Sequence, residues 1–118
     1  SVSYSDSALK EALASGNPVF TEMTAAWCIT CKVNAKVALD VPSTRKLFAR
    51  NDVEYLVGDW TNEDPEITKY LQSYGRNGVP LYVFYGAPNE DTGERPEPVI
   101  LPQLLTPGIV ANTIEGSQ

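Results

Sequence analysis

Cys28 and Cys31 are the only two cysteines of the chain, two residues apart and directly after Trp27. Thiols at this spacing can close a disulfide, grip a metal, or pass electrons by exchange with another disulfide. A purely structural bridge here closes a very small loop and adds little stability on the chain-entropy account. Zinc asks for four ligands, and the chain has no histidine to add to its two thiols. Copper(I) can accept two thiolates alone, although Met23 is the only methionine that could add a soft ligand. Thiol–disulfide exchange needs only the pair and surroundings that favour a thiolate.

The absence of histidine also removes Cys–His and Ser–His catalytic pairs. Nine basic residues against fifteen acidic ones leave a net charge of −6. That balance argues against nucleic acid as a partner and reads as a solvated acidic surface. A length of 118 residues, 42% of them hydrophobic, suits one compact domain with its own core. Apolar runs are only a few residues long, so neither a membrane-spanning helix nor a secretory signal peptide is expected. The chain opens SVSY with no initiator methionine, which reads as a processed product or a piece excised from a larger protein.

The elements that must hold the cysteines follow from punctuation and periodicity. SDSALKEALASGNP predicts a helix that Asp6 or Ser7 can cap, with Leu9 and Leu13 as its apolar stripe and Gly16 as its stop. Residues 18–24 (PVFTEMT), 53–60 (VEYLVGDW), PLYVFY and VIL predict four strands. A helix runs on from Cys28, with Val33, Val37 and Ala38 recurring on one side as far as Leu39; Pro42 interrupts it before PSTRKLFAR resumes. DPEITKYLQSYG reads as a helix capped by Asp64, with Pro65 at its first position, Ile67 and Leu71 as its stripe and Gly75 at its end. A last helix begins at Thr106-Pro107 and runs to about Glu115. The order α-β-α-β-α-β-β-α predicts an α/β fold: a mixed four-stranded central sheet with helices on both faces. Its first two strands should be parallel and its last two antiparallel.

In that frame C-x-x-C falls at a strand-to-helix junction inside a β-α-β unit, the context of a redox motif. Cys28 is expected in the first helical turn, where free N–H groups and the helix dipole favour a thiolate. Cys31 should lie one turn deeper on the same side, as the buried resolving sulfur. Lys32 and Lys36 add positive charge nearby.

W-C-x-x-C after a strand and a Val-Pro dipeptide opening a later strand (GVPLYVFY) together resemble the thioredoxin family. The wider set TAAWCITCKVN, VAL, GDWTNEDPEIT, GRNGVPLYVFY and LPQLLTP, from about Ser7 to Ile114, is similar to the C-terminal periplasmic domain of the DsbD and ScsB-type thiol:disulfide interchange family. The resemblance implies a thioredoxin fold in a single domain cut from a larger inner-membrane protein. It implies a protein-disulfide reductase that takes electrons from the membrane-embedded domain of the same protein. Those electrons pass to a periplasmic disulfide-bearing acceptor, with the cysteines as carriers and no inorganic cofactor. The isolated domain is expected to be a monomer. A free-standing periplasmic reductase or isomerase is the alternative within this class, and a copper(I)-binding module the alternative outside it.

The resemblance also assigns roles. Cys28 and Cys31 become the catalytic pair. Pro80 matches the family's cis-proline, against a plain trans-proline opening a strand. Val79 before it offers main-chain groups to an extended partner segment. Glu22, six residues before Cys28, stands at the family's buried acid and implies proton exchange with Cys31; otherwise it is a glutamate at a solvated strand end. Trp27 shields the pair and offers a contact surface, or simply packs. Ala35 stands where the family often has a second acid, which implies a thiolate that forms more easily here.

Overall fold

The computed structural model describes residues 1–116. Val19–Thr24 (β2), the most enclosed strand, lies at the centre of the sheet. Glu54–Asp59 (β3) runs parallel to it on one side and Leu81–Tyr85 (β4) antiparallel on the other. Val99–Ile100 (β5) completes that side by antiparallel pairing with β4. The parallel β2–β3 and antiparallel β4–β5 pairings follow the sequence expectation. The strand count does not: Val2–Ser3 (β1) pairs parallel with β3, making a five-stranded sheet of order β1-β3-β2-β4-β5. Both residues of β1 are exposed, so no apolar alternation marks it.

Asp6–Ala14 (α1) and Pro65–Ser73 (α4) cover one face. Val19, Met23, Leu56, Leu81 and Val83 of the sheet bury there against Ala12, Ile67 and Leu71. Ser5 caps α1 by accepting from Ala8 N–H at 3.0 Å, one residue before the expected cap. Asp64 and Pro65 open α4 as predicted, and Gly75 takes the left-handed φ of +71° that follows its end. A hydroxyl chain links the sheet to α4, from Thr21 through Tyr70 (2.8 Å) and Tyr85 (2.6 Å) to Tyr74 (2.7 Å).

Gly58 lies against the thioether of Met23, which is fully buried, and a Cβ at this glycine would collide with the sulfur. Gly58→Ala is therefore expected to lower unfolding free energy by about 1–3 kcal/mol, the usual cost of overpacking. Urea denaturation checks this, and Met23→Ala in the same chain should recover part of the loss.

On the opposite face Phe20, Tyr82 and Phe84 pack under Ala38, Leu39, Leu47, Phe48, Val110 and Ile114. These come from the cysteine-bearing helix Ile29–Asn34 (α2) with its continuation Ala35–Leu39, from Pro42–Arg50 (α3), and from Pro107–Gly116 (α5). Residues 35–39 form a π-helical turn, closed by Asp40 N–H donating to Ala35 C=O at 2.7 Å. This wider turn rotates less per residue than an α-turn. Val37 therefore comes back beneath Ile29 and Val33 and does not drift toward the sheet. All three face solvent, and Asn34, Ala38 and Leu39 are the residues buried. The expectation that Val33, Val37 and Ala38 share one side is thus corrected: the two valines lie on the outer face and Ala38 on the buried one.

Candidate active site

Cys28 and Cys31 form a disulfide with Cα atoms 5.2 Å apart. Cys28 sits at the N-cap of α2 in extended geometry, one position before the expected first turn. Its sulfur accepts from Cys31 N–H at 3.1 Å, and Lys32 N–H donates to its carbonyl at 3.2 Å. A sulfur held there faces the positive end of the helix and an N–H donor, both of which favour an anion. Cys28, at the helix N-terminus, is itself largely covered. It is 7% exposed against 2% for Cys31, so Cys28 is the outer sulfur by a narrow margin.

The sulfurs pack with Ala25 and Val79. The Val79–Pro80 peptide is cis, and Pro80 is buried directly before β4. Arg76 Nη1 donates to Pro80 C=O at 3.3 Å, whereas the main-chain N–H and C=O of Val79 make no hydrogen bond among the described residues. Residues 76–80, remote from the cysteines in sequence, thus form the second wall of the site.

Trp27 is 55% exposed beside the pair. Its indole donates to Thr61 C=O at 3.1 Å, and its ring lies 6.0 Å from Trp60. Thr61 Oγ1 also receives Ala26 N–H at 2.8 Å and donates to Asp59. The Thr61 hydroxyl and its main-chain N–H, both donating to Asp59, hold that carboxyl below its usual range. The end of β3 therefore anchors the turn that delivers Trp27 and Cys28.

Glu22 is buried on β2, paired with Val57 on one side and Tyr82 on the other. Strand alternation puts it on the face with Phe20, beneath the cysteine-bearing helix. Its carboxylate accepts from Tyr55 Oη and makes no hydrogen bond to either cysteine. Burial raises its pKa; the Tyr55 bond opposes that rise and the Asp40 charge adds to it. The solvated strand-end alternative is thereby set aside. A raised pKa means the folded state holds the proton more tightly. Its contribution to stability is then present below the unfolded carboxyl range and lost as pH rises through the folded value. Glu22→Gln should accordingly stabilise the fold more at pH 8 than at pH 4. Equal melting-temperature shifts at both pH values would contradict this.

Asn34, a polar residue inside the cysteine-bearing helix, carries no motif that marks it in the sequence. It is 1% exposed and fully satisfied. Its Nδ2 donates to Tyr82 Oη at 2.9 Å and to Gln103 C=O at 2.7 Å, and its Oδ1 receives Leu105 N–H at 2.9 Å. Burial pushes the Tyr82 phenol up to about 12, against the Asn34 donation. Its spacing from Cys31, three residues along one helix face, is the signal that could have found it. Ala35, in place of a second acid, is half-buried at the head of the π-turn.

Among the described residues no group of three or more His, Cys, Asp or Glu side chains is arranged to hold a metal ion. No helix among them is long and apolar enough to cross a membrane.

A family profile described as thioredoxin-like matches residues 2–87. The thiol:disulfide interchange protein DsbD of Ralstonia nicotianae is 31% identical over 87 residues, which is 74% of this chain and 14% of that protein. DsbD of Klebsiella pneumoniae is 30% identical over 95 residues, 80% of this chain and 15% of its own length. The chain thus spans only about a seventh of the length of these relatives. Among solved structures, the oxidised C-terminal domain of DsbD from Neisseria meningitidis superposes with a TM-score of 0.72 at 23% identity, covering 100% of both chains. That likeness carries the fold. The profile covers well over half of the chain, which belongs to the thioredoxin-like family.

Proposed function

We propose that this domain is a protein-disulfide reductase module working by thiol–disulfide exchange at Cys28 and Cys31. The observation that carries it is the disulfide at the N-cap of α2, walled by Val79 with its free main-chain groups. In the reduced domain Cys28 thiolate attacks a partner disulfide, forming a mixed disulfide and releasing one partner thiolate. Cys31 then gives its proton to Glu22 and attacks the Cys28 sulfur. The second partner thiolate leaves, the domain is oxidised, and the partner has gained two electrons. Val79 and Pro80 seat an extended partner segment by main-chain pairing, and Trp27 supplies apolar contact beside the sulfurs.

The 30–31% identity to proteins named thiol:disulfide interchange protein DsbD, of which the chain spans 14–15%, supports a finer reading. The domain belongs to a longer inner-membrane protein and faces the periplasm. It receives electrons from a membrane-embedded domain of that protein and passes them to a periplasmic disulfide-bearing acceptor. The isolated domain acts as a monomer.

Equilibration of the domain in glutathione redox buffers tests the chemistry. The pair should titrate as one two-electron couple, with a tenfold change in equilibrium constant for about every 30 mV. In the reduced domain at neutral pH, brief alkylation followed by mass mapping should modify Cys28 first. A one-electron slope, or modification of Cys31 first, would reject the assigned roles.

A further inference from the structure

Resting on the acid role of Glu22, we propose that Tyr55 is its positioning residue: the phenol orients the buried carboxyl and is the single group that keeps it ionisable for proton exchange with Cys31. Glu22 is 6% exposed, and its one side-chain hydrogen bond among the described residues comes from Tyr55 Oη. It takes part in no ion pair; the one ion pair among the described residues joins Arg50 and Glu115, both exposed. A buried carboxylate without a cation must draw its stabilisation from hydrogen bonds. Here that donor is a neutral phenol.

The identity of the donor decides what the acid can do. A lysine or arginine against Glu22 would hold it as a permanent carboxylate, a poor receiver and returner of protons. With no donor at all, burial would hold it protonated. A phenol lies between these limits, because its hydrogen bond favours the anion without cancelling its charge.

The surroundings reinforce the dependence on this one contact. β2 and β3 are parallel, with Phe20 opposite Tyr55 and Glu22 one pair further along the same face. The Tyr55 ring is fixed edge-on against Phe20 and Phe48, at centroid distances of 5.8 and 5.1 Å, so its hydroxyl is aimed by packing. Asp40 at the end of the π-turn repels a charge on Glu22. Tyr82 from β4 is neutral and engaged by Asn34. Cys31 from α2 is uncharged in the disulfide. Tyr55 also borders a cleft of about 560 Å³ whose charged residues are Asp40, Arg45, Asp52 and Glu54. Tyr55 itself stays a phenol throughout, since burial and the Glu22 charge both push its own ionisation up.

Tyr55→Phe keeps the ring packing and removes only the donor. Carbon-13 NMR of the glutamate carboxyls should show the Glu22 midpoint rising by about one pH unit, the size expected for one lost hydrogen bond to a charged form. The pH profile for release of the mixed disulfide should move up by the same amount. Tyr55→Lys should move both downward, an opposite sign that a packing defect cannot produce. Cys28 alkylation at fixed pH should stay within a few-fold of the parent. An unmoved Glu22 midpoint in a folded Tyr55→Phe domain overturns the assignment of Tyr55 alone. A midpoint that moves while the release profile does not overturns the acid role of Glu22, and with it the use proposed for Tyr55.

Discussion

Replacing Cys31 with alanine should stop the reaction halfway. Cys28 keeps its N-cap position, the helix end and the N–H at residue 31, so attack on a partner disulfide proceeds. The resolving sulfur, packed beside it in the native domain, is then missing, and the partner remains covalently attached. Turnover should fall to the uncatalysed background, while a partner adduct builds up to one per domain on a non-reducing gel. Cys28→Ala should show the same loss of turnover with no adduct, because Cys31 is 2% exposed and cannot reach a partner. An adduct on Cys31 in the Cys28→Ala variant, or sustained turnover without Cys31, would reverse the roles assigned to the two sulfurs.

The second large effect is expected at Asn34, where stability and site geometry meet. Asn34→Ala removes the hydrogen-bond partners of Tyr82 Oη, Gln103 C=O and Leu105 N–H in one step. Gln103 is exposed enough for water to replace the lost amide, but Leu105 and Tyr82 are buried. Leaving the two buried groups unpaired should cost about 3 kcal/mol, from roughly 1–3 kcal/mol for each. Urea unfolding should show a lower midpoint at unchanged slope. The Leu105 amide should also lose protection from hydrogen exchange ahead of the sheet amides. A loss below about half a kcal/mol would mean that solvent already reaches these groups, because exposed hydrogen bonds exchange freely with water.

Much of the frame was legible because its signals are local. Asp64, Pro65 and Gly75 mark both ends of α4 within a few residues of one another. The run from Leu81 to Tyr85 is buried throughout and β-branched or aromatic for most of its length. The cysteine pair was marked by its spacing and by its place between a strand and a helix. What stayed hidden depends on chain segments meeting. β1 has two exposed residues and is defined only by its partner β3. The π-turn shifts a hydrogen-bond ring by one residue and leaves no compositional trace, so the outward placement of Val37 could not be read from an α-helical period. Tyr55 and Glu22 lie 33 residues apart and meet only through the strand register. Glu22 could therefore be singled out by its place before the cysteines, but the phenol that bonds it could not.

The brevity of the outer strands sets how this domain behaves in a crowded compartment. β1 and β5 each extend for two residues, so each outermost strand offers very few unpaired main-chain groups of its own. A strand that short cannot hold the register of an added strand, which blunts edge-to-edge growth into ordered aggregates. The longer strands β2, β3 and β4 all lie inside the sheet. If the Val79 main chain seats a partner as proposed, the two outermost strands add little competing surface for unselective pairing.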